Sequence, residues 1–227
     1  MTGRTASTPS RRVGLRLTVA ILASAGLASA PTSTSAQTPF GDPMAIPAIR
    51  DFLPADGFGE RHPDAPAELE QWGQLAGIWV GEQEMRRQDG SWASVGPSLW
   101  AWRYALGGFA VQDLWFQAAD QLPAYLGDLG RDYLLSGTRI YSPASGRWDI
   151  AWTANGLAST PGQDFGTFQA TWEDDRLIMT SPAEAPMPQR VIFSDFAPDS
   201  FLWTSEFSQD GGTTWIEVMR VRATRYR

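Results

Sequence analysis

The chain has 227 residues, of which 43% are hydrophobic, and it contains 11 tryptophans, 11 phenylalanines and no cysteine. The absence of cysteine excludes disulfides, thiol nucleophiles and cysteine-ligated metal sites. The formal net charge is −7; four of the 18 basic residues lie before residue 37, where no acid occurs, so 14 arginines face 25 acids in the remainder, a net charge of −11. A surface this acidic argues against a nucleic-acid partner, whose phosphates require a basic face.

Residues 1–36 have the composition of a bacterial export signal. A basic region with twin arginines precedes an apolar run, Leu17–Ala30, that is too short to span a membrane. Ser10–Arg16 resembles the twin-arginine export pattern S-R-R-x-F-L-K, with Gly14 in place of the phenylalanine. Both the twin-arginine route and the general secretory route therefore stay open.

Two points in this segment fit signal cleavage. Cleavage after Ala36 leaves Gln37 at the new terminus and is favoured, because cleavage after Ala30 would leave Pro31 there. We expect the mature chain in the periplasm or outside the cell, with no membrane span.

Residues 37–65 form a proline-rich arm. Its prolines exclude a long helix or a central strand. Its apolar residues are nevertheless too numerous for a free linker: Phe40, Ile46, Ile49, Phe52, Leu53 and Phe58. We expect the arm to pack against the following domain, where it could cover an opening. His62, the only histidine, is interpreted as a surface residue.

The sequence of residues 66–227 predicts an all-β domain. One short helix, over residues 65–75, opens it and ends before Gly77. Ten strands are predicted at Ile78–Arg87, Leu99–Leu106, Phe109–Gln117, Gly137–Tyr141, Arg147–Thr153, Thr167–Trp172, Leu177–Ser181, Arg190–Phe196, Phe201–Phe207 and Thr214–Arg222. Short strands separated by turn signals indicate an antiparallel sheet. Ten such strands are expected to close into a barrel, since closure removes exposed sheet edges.

Aromatic residues recur at every second position of several strands, and therefore share one face of each. The clearest stripe is Trp100, Trp102 and Tyr104; others contain Trp115, Trp152 and Trp203. Several strands are apolar on both faces, so the pattern does not decide which face is interior. A barrel wrapped by the arm or by a partner would produce this ambiguity.

Three motifs carry a family resemblance. Gly77-Ile78-Trp79 resembles the G-x-W that begins the first strand of lipocalin-like (calycin) barrels. Trp102–Gly108 and the paired segments Asp199–Trp203 and Asp210–Trp215 resemble hairpins of an uncharacterised bacterial family of secreted, calycin-like barrel proteins.

The resemblance implies two expectations. A last-strand arginine, Arg220 or Arg222, should stack on Trp79 and close one barrel end; a cation over an indole face is favourable. Haem-binding relatives use a histidine late in the chain, whereas none follows His62 here. Histidine-ligated haem is therefore not expected, tyrosine being the alternative axial ligand, and no cofactor is predicted.

Ser208–Trp215 fits the Asp-box pattern S-x-D-x-G-x-T-W of sialidase propellers. Only one full copy occurs, whereas a propeller needs one per blade. We interpret it as a hairpin turn in which Asp210 caps backbone amides, Gly212 turns the chain and Trp215 packs below.

The chain lacks hydrolase-triad, metal-binding and phosphate-loop motifs. Acid–base candidates are therefore Asp113 and Glu217, flanked by apolar residues on their strands, together with Tyr104. A carboxylate facing an apolar cavity would have a raised pKa.

The preferred hypothesis is an exported barrel that binds a small hydrophobic or aromatic molecule. The candidate ligand-binding residues are Trp100, Trp102, Tyr104, Trp115, Trp152, Trp203 and Arg139. Two alternatives remain: an isomerase, lyase or hydrolase using the acid–base candidates inside the same barrel, and a structural protein with a filled barrel.

Overall fold

The computed structural model describes residues 39–55, 57–122, 129–156, 164–185 and 187–227. The predicted export signal lies outside these residues. Two short α-helices, α1 (Pro47–Phe52) and α2 (Glu70–Gly73), precede ten strands. The strands are β1 (Gly77–Arg86), β2 (Trp92–Ala105), β3 (Ala110–Gln117), β4 (Tyr133–Ser142), β5 (Arg147–Ala154), β6 (Phe165–Glu173), β7 (Arg176–Thr180), β8 (Gln189–Ala197), β9 (Ser200–Phe207) and β10 (Ile216–Arg225).

The ten strands form one closed barrel. Each strand pairs antiparallel with its neighbours in sequence, and β1 pairs with β10 to close the sheet. The predicted fold class, an all-β antiparallel barrel of about ten strands, is confirmed. Among the described residues, no helix has the length and apolar character needed to cross a bilayer.

Three strands differ most from their predicted bounds. β2 begins at Trp92 rather than Leu99 because the barrel accommodates Gly96 and Pro97 beside an irregularity in the β1–β2 register, where a proline is tolerated. β4 begins four residues early, and β10 ends at Arg225 instead of residue 222. Turn-forming residues at strand ends are therefore poor guides to where pairing stops.

A helical plug fills the barrel end at which β1 begins. The predicted helix over 65–75 is present as a 3-10 turn, Ala67–Leu69, followed by α2. Trp72 from α2 is fully buried, and its ring centroid lies 4.8 Å from that of Phe193 and 5.6 Å from that of Trp102. The plug therefore extends the barrel core across this end.

The cation over Trp79 is Arg225, so the expectation of Arg220 or Arg222 was wrong. The Arg225 guanidinium carbon lies 4.1 Å from the Trp79 ring centroid, and its Nη1 donates to the Ala76 carbonyl at 2.8 Å. The reason is register: Trp79 pairs with Arg225 across β1 and β10. Arg220 and Arg222 lie on the opposite face of β10 from Arg225, because side chains alternate along a strand. Arg220 pairs there with Glu84.

Gly77 has a structural role at the same barrel end. Its φ of +142° favours glycine, and a Cβ at this position would collide with the Arg225 guanidinium. Trp79 is fixed from the plug as well, because its Nε1 donates to the Leu75 carbonyl at 2.7 Å. One glycine, one tryptophan and one arginine thus join the plug to the closing strands.

The arm packs on the outside of the barrel. Ile49 of α1 is fully buried in a second hydrophobic cluster with Leu99, Ala101, Leu114 and Phe116 from the outer faces of β2 and β3. This contact explains why both faces of these strands are apolar. Further along, the His62 amide donates to the Gly108 carbonyl and the His62 ring stacks on Phe109, centroid to centroid 4.7 Å.

We predict that Ile49→Ala lowers the free energy of unfolding by about 2–4 kcal/mol, because it leaves a cavity between the arm and the barrel. Urea unfolding monitored by circular dichroism measures the change. Ile140→Ala is the matched control: Ile140 is 47% exposed, and its truncation should change stability by less than about 0.5 kcal/mol. Equal effects of the two substitutions would contradict the packing of the arm.

Candidate functional site

A cavity of about 670 Å³ occupies the half of the barrel opposite the plug. Four tryptophans line it: Trp100, Trp115, Trp152 and Trp203. Aliphatic, phenylalanine and methionine side chains complete most of the wall: Leu135, Ile150, Phe168, Met179, Val191, Phe193, Phe207 and Met219. The cavity is therefore mainly apolar, and it lies where the strands β1, β3, β5, β7 and β9 end.

Five of the seven predicted ligand-binding residues line this cavity: the four tryptophans and Arg139. Trp102 and Tyr104 do not, because they lie further along β2 towards the plug. Trp102 packs on Trp72 beneath the cavity floor. The Tyr104 hydroxyl donates to Glu70 Oε2 at 3.0 Å, and burial, reinforced by this bond, raises the pKa of Tyr104.

A buried ion pair between Asp113 and Arg139 forms part of the cavity floor. Arg139 Nη1 lies 2.6 Å from Asp113 Oδ1, and the two side chains are 5% and 1% exposed. The carboxylate also accepts hydrogen bonds from the Gly137 amide at 2.9 Å and from Trp100 Nε1 at 2.6 Å. Three donors therefore hold Asp113 in one orientation, which is how a buried charge is compensated.

Two features fix the position of the Asp113–Arg139 pair. The Arg139 guanidinium carbon lies 4.4 Å from the ring centroids of both Trp72 and Trp102. Residue 137 must be glycine for the carboxylate to fit, because a Cβ there would lie 2.7 Å from Asp113 Oδ1. The pair thus couples the position of β3 and β4 to that of α2.

The three acid–base candidates do not form a common site. The Asp113 carboxylate lies in the cavity floor and already accepts hydrogen bonds from three donors. Glu217 pairs across the sheet with Glu206 and does not line the cavity. A bulge between residues 217 and 219 interrupts the alternation of side chains along β10. The prediction that Glu217 shares a face with Met219 depended on that alternation. Tyr104 lies at the plugged end, beyond the cavity floor.

Glutamines in the cavity wall were not predicted. Gln83, Gln117 and Gln189 line the cavity, and the first two are each 1% exposed. Gln189 Nε2 donates to the buried Ser205 hydroxyl at 3.1 Å. The available signal was spacing: Gln117 belongs to the Asp113–Trp115 stripe, and Gln83 lies four residues after Trp79, on the same face of β1.

The Asp-box turn lies at the open end of the barrel and has the predicted geometry. Asp210 Oδ1 accepts hydrogen bonds from the amides of Thr213 and Thr214 at 3.1 and 2.8 Å. The Gly212 amide donates to Ser208 Oγ at 2.7 Å. Arg190 lies over the Trp215 ring, 4.6 Å from its centroid. The turn is a self-contained hairpin at the rim, with a structural role.

Comparisons with known proteins give likeness of fold at low similarity. No family model and no curated protein sequence match the chain. Solved structures that resemble it include the S-type phycobiliprotein lyase CPES of Guillardia theta, with 8% identity, 70% of this chain and 92% of that chain covered, and a TM-score of 0.46. Rv2717c of M. tuberculosis shows 12% identity, coverage of 72% and 100%, and a TM-score of 0.47. A redesigned β-barrel shows 10% identity, coverage of 71% and 100%, and a TM-score of 0.33.

We predict that Asp113→Asn or Arg139→Met alone lowers stability by about 3–5 kcal/mol, because each leaves one buried charge without its partner. The double variant should lose less than the sum of the two, since it leaves neither charge unpaired. A double-mutant cycle by urea unfolding measures this coupling.

The exposed pair Arg50–Asp51 supplies the control for that cycle. Its side chains are 55% and 68% exposed, so Asp51→Asn should change stability by less than about 0.5 kcal/mol. Additive losses at positions 113 and 139 would contradict a coupled buried pair.

We predict that Asp210 contributes pH-dependent stability. Hydrogen bonds from the Thr214 backbone amide, the Thr214 hydroxyl and Ser208 lower its pKa from 3.8 to about 2. A lowered folded-state pKa gives stabilisation that is complete above pH 3.8 and is lost as the pH falls towards 2. The difference in unfolding midpoint between the natural protein and Asp210→Asn should therefore shrink over this window. A difference independent of pH would contradict the prediction.

Proposed function

We propose that this protein binds a small hydrophobic or aromatic molecule inside the barrel. The observation that carries the proposal is a tryptophan-lined cavity that the described side chains leave unfilled, in a barrel whose other half is occupied by a buried aromatic cluster. Its volume of about 670 Å³ lies within the range of small-molecule sites, roughly 300–1,000 Å³. Burial of apolar ligand surface would supply about 25 cal/mol per Å² before the costs of association.

The tryptophan arrangement favours a ligand with a flat aromatic portion. Trp100 and Trp115 meet edge to face, with centroids 4.8 Å apart, and Trp100 and Trp203 meet at 6.4 Å with planes at 77°. The rings are therefore steeply inclined to one another, and an aromatic ligand can pack against an indole either edge to face or offset-stacked.

The two alternatives have less support. A filled structural barrel does not account for the cavity. An acid–base enzyme would need catalytic groups that converge on the cavity, but Glu217 and Tyr104 do not line it, and Asp113 is held by Arg139 in the floor. Binding accounts for the same walls without requiring a reacting group.

Export belongs to the proposal on the basis of residues 1–36 alone. The ligand would then be met in the periplasm or in the medium. Native mass spectrometry of the protein recovered from its exported compartment identifies a bound molecule as an added mass that denaturation removes.

We predict that Leu135→Trp blocks the cavity. The neutral fluorophore N-phenyl-1-naphthylamine should bind the natural protein and quench its tryptophan fluorescence, because four indoles surround the cavity. The larger side chain at position 135 projects into the same space and should weaken probe binding at least about tenfold.

Ile140→Trp is the matched control. Ile140 lies on the same strand, is 47% exposed and does not line the cavity, so probe affinity should stay unchanged. Thermal unfolding of both variants verifies that they fold. Probe binding that is insensitive to Leu135→Trp in a folded variant, or no binding to the natural protein, would overturn the proposed function.

A further inference from the structure

A polar strip crosses the inner wall of β1, β2 and β3 beside this mainly apolar cavity. It consists of Gln83, Ser98 and Gln117, which are 1%, 0% and 1% exposed. Gly81 pairs with Ser98, and Leu99 pairs with Phe116, so Ser98 lies between the two glutamine-bearing strands at the level of Gln117. Gln83 lies two residues further along β1 than Gly81, beside the irregularity in the β1–β2 register. Gln83 and Gln117 themselves line the cavity.

Each residue of the strip has a polar atom without a hydrogen-bond partner among the described residues: Gln83 Oε1, Ser98 Oγ and Gln117 Nε2. Buried polar atoms are ordinarily paired, because burial removes their bonds to water. The strip therefore combines an unused acceptor and an unused donor beside an apolar cavity.

The orientation of each amide is set by its one remaining contact. Gln83 Nε2 donates to the Gly96 carbonyl at 3.4 Å, which leaves Oε1 as the unpaired atom. Gln117 Oε1 accepts from Trp115 Nε1 at 3.4 Å, which leaves Nε2. Turning either amide over would set oxygen against oxygen at Gly96, or nitrogen against nitrogen at Trp115.

We propose that the strip is the specificity site for the cavity ligand and recognises a neutral group with both a hydrogen-bond donor and an acceptor, such as a lactam or carboxamide. This inference rests on the proposed function. The ligand N–H would donate to Gln83 Oε1, and the ligand carbonyl would accept from Gln117 Nε2. A flat ring system carrying this group would lie against Trp100 and Trp115, which are the next inward residues after Ser98 on β2 and before Gln117 on β3.

Charged ligands fit the strip less well. A carboxylate has no donor for Gln83 and would place negative charge against its oxygen. The cavity cation, Arg139, does not change this balance because Asp113 already pairs with it at 2.6 Å. An ammonium group lacks the acceptor that Gln117 needs. A neutral amide edge satisfies both glutamines.

Two matched probes test the site: 2-quinolinone, a flat lactam, and 1-methyl-2-quinolinone, which keeps the ring and carbonyl but lacks the N–H. Titration calorimetry with the natural protein should show 2-quinolinone binding at least about tenfold more tightly, because a site built to bond an N–H discriminates against its loss.

Substitution of the two glutamines should change probe binding in different ways. Gln83→Met should remove the preference for the N–H, reducing the affinity of 2-quinolinone to that of its methylated analogue and leaving the latter unchanged. Gln117→Met should weaken both probes, since both present the carbonyl. Gln169→Met is the control, because Gln169 lies on the outer face of β6, hydrogen-bonded to Asp149, and should change neither affinity.

Stability supplies an independent measurement. Methionine has a similar shape. Each substitution removes one unpaired buried atom but also one long hydrogen bond of 3.4 Å, to Gly96 or from Trp115, so these opposing effects should leave the unfolding temperature of both unliganded variants close to that of the natural protein. Marked destabilisation by both substitutions would show that the glutamines serve folding, and would overturn the inference.

The outcomes separate this inference from the proposed function. If N-phenyl-1-naphthylamine binds but the two quinolinones bind equally, or neither binds, the strip is no specificity site while the binding function stands. If that fluorophore does not bind the natural protein, the proposed function fails, and the inference that rests on it fails with it.

Discussion

The buried ion pair between Asp113 and Arg139 divides the barrel interior into a packed half and an empty half. On one side the Arg139 guanidinium lies against Trp72 and Trp102, so the plug packs on it. On the other side the same pair forms the cavity floor. A buried charge without its partner is strongly unfavourable. Any movement of β3, β4 or α2 that separated the pair would therefore cost stability, and the floor keeps its position.

The alternation of side chains along β2 and β3 serves two hydrophobic clusters at once. Trp100 and Trp102 point into the barrel, whereas Leu99 and Ala101 point outward and are covered by α1. The inner face supplies the plugged core and the cavity wall. The outer face would be an exposed apolar patch without the arm. Because one sheet carries both, the arm supports from outside the same strands that bear the polar strip inside.

The cavity joins an apolar wall to a few polar atoms that lack hydrogen-bond partners among the described residues. The wall favours a flat hydrophobic molecule, and the glutamine amides would select among such molecules by hydrogen bonding. This division of roles is common in small-molecule sites, where apolar area supplies affinity and a few placed polar groups set orientation.

Strand periodicity and turn residues determined the barrel, its approximate strand number, the Asp-box turn and the contact of the apolar arm with the domain, because these depend on local backbone preference and on burial of apolar side chains. The aromatic stripes also contained all four tryptophans of the described cavity lining. Register, by contrast, was decided only in the closed barrel: it placed Arg225 rather than Arg220 or Arg222 over Trp79, and a bulge placed Glu217 away from the cavity. Depth along the barrel axis likewise separated Trp102 and Tyr104 from Trp100, since alternation identifies a face but not a level. The pairing of Asp113 with Arg139, 26 residues apart, and the presence of Gln83 and Gln117 in the wall of one cavity arise from tertiary structure, because residues brought together across a barrel share no local sequence signal.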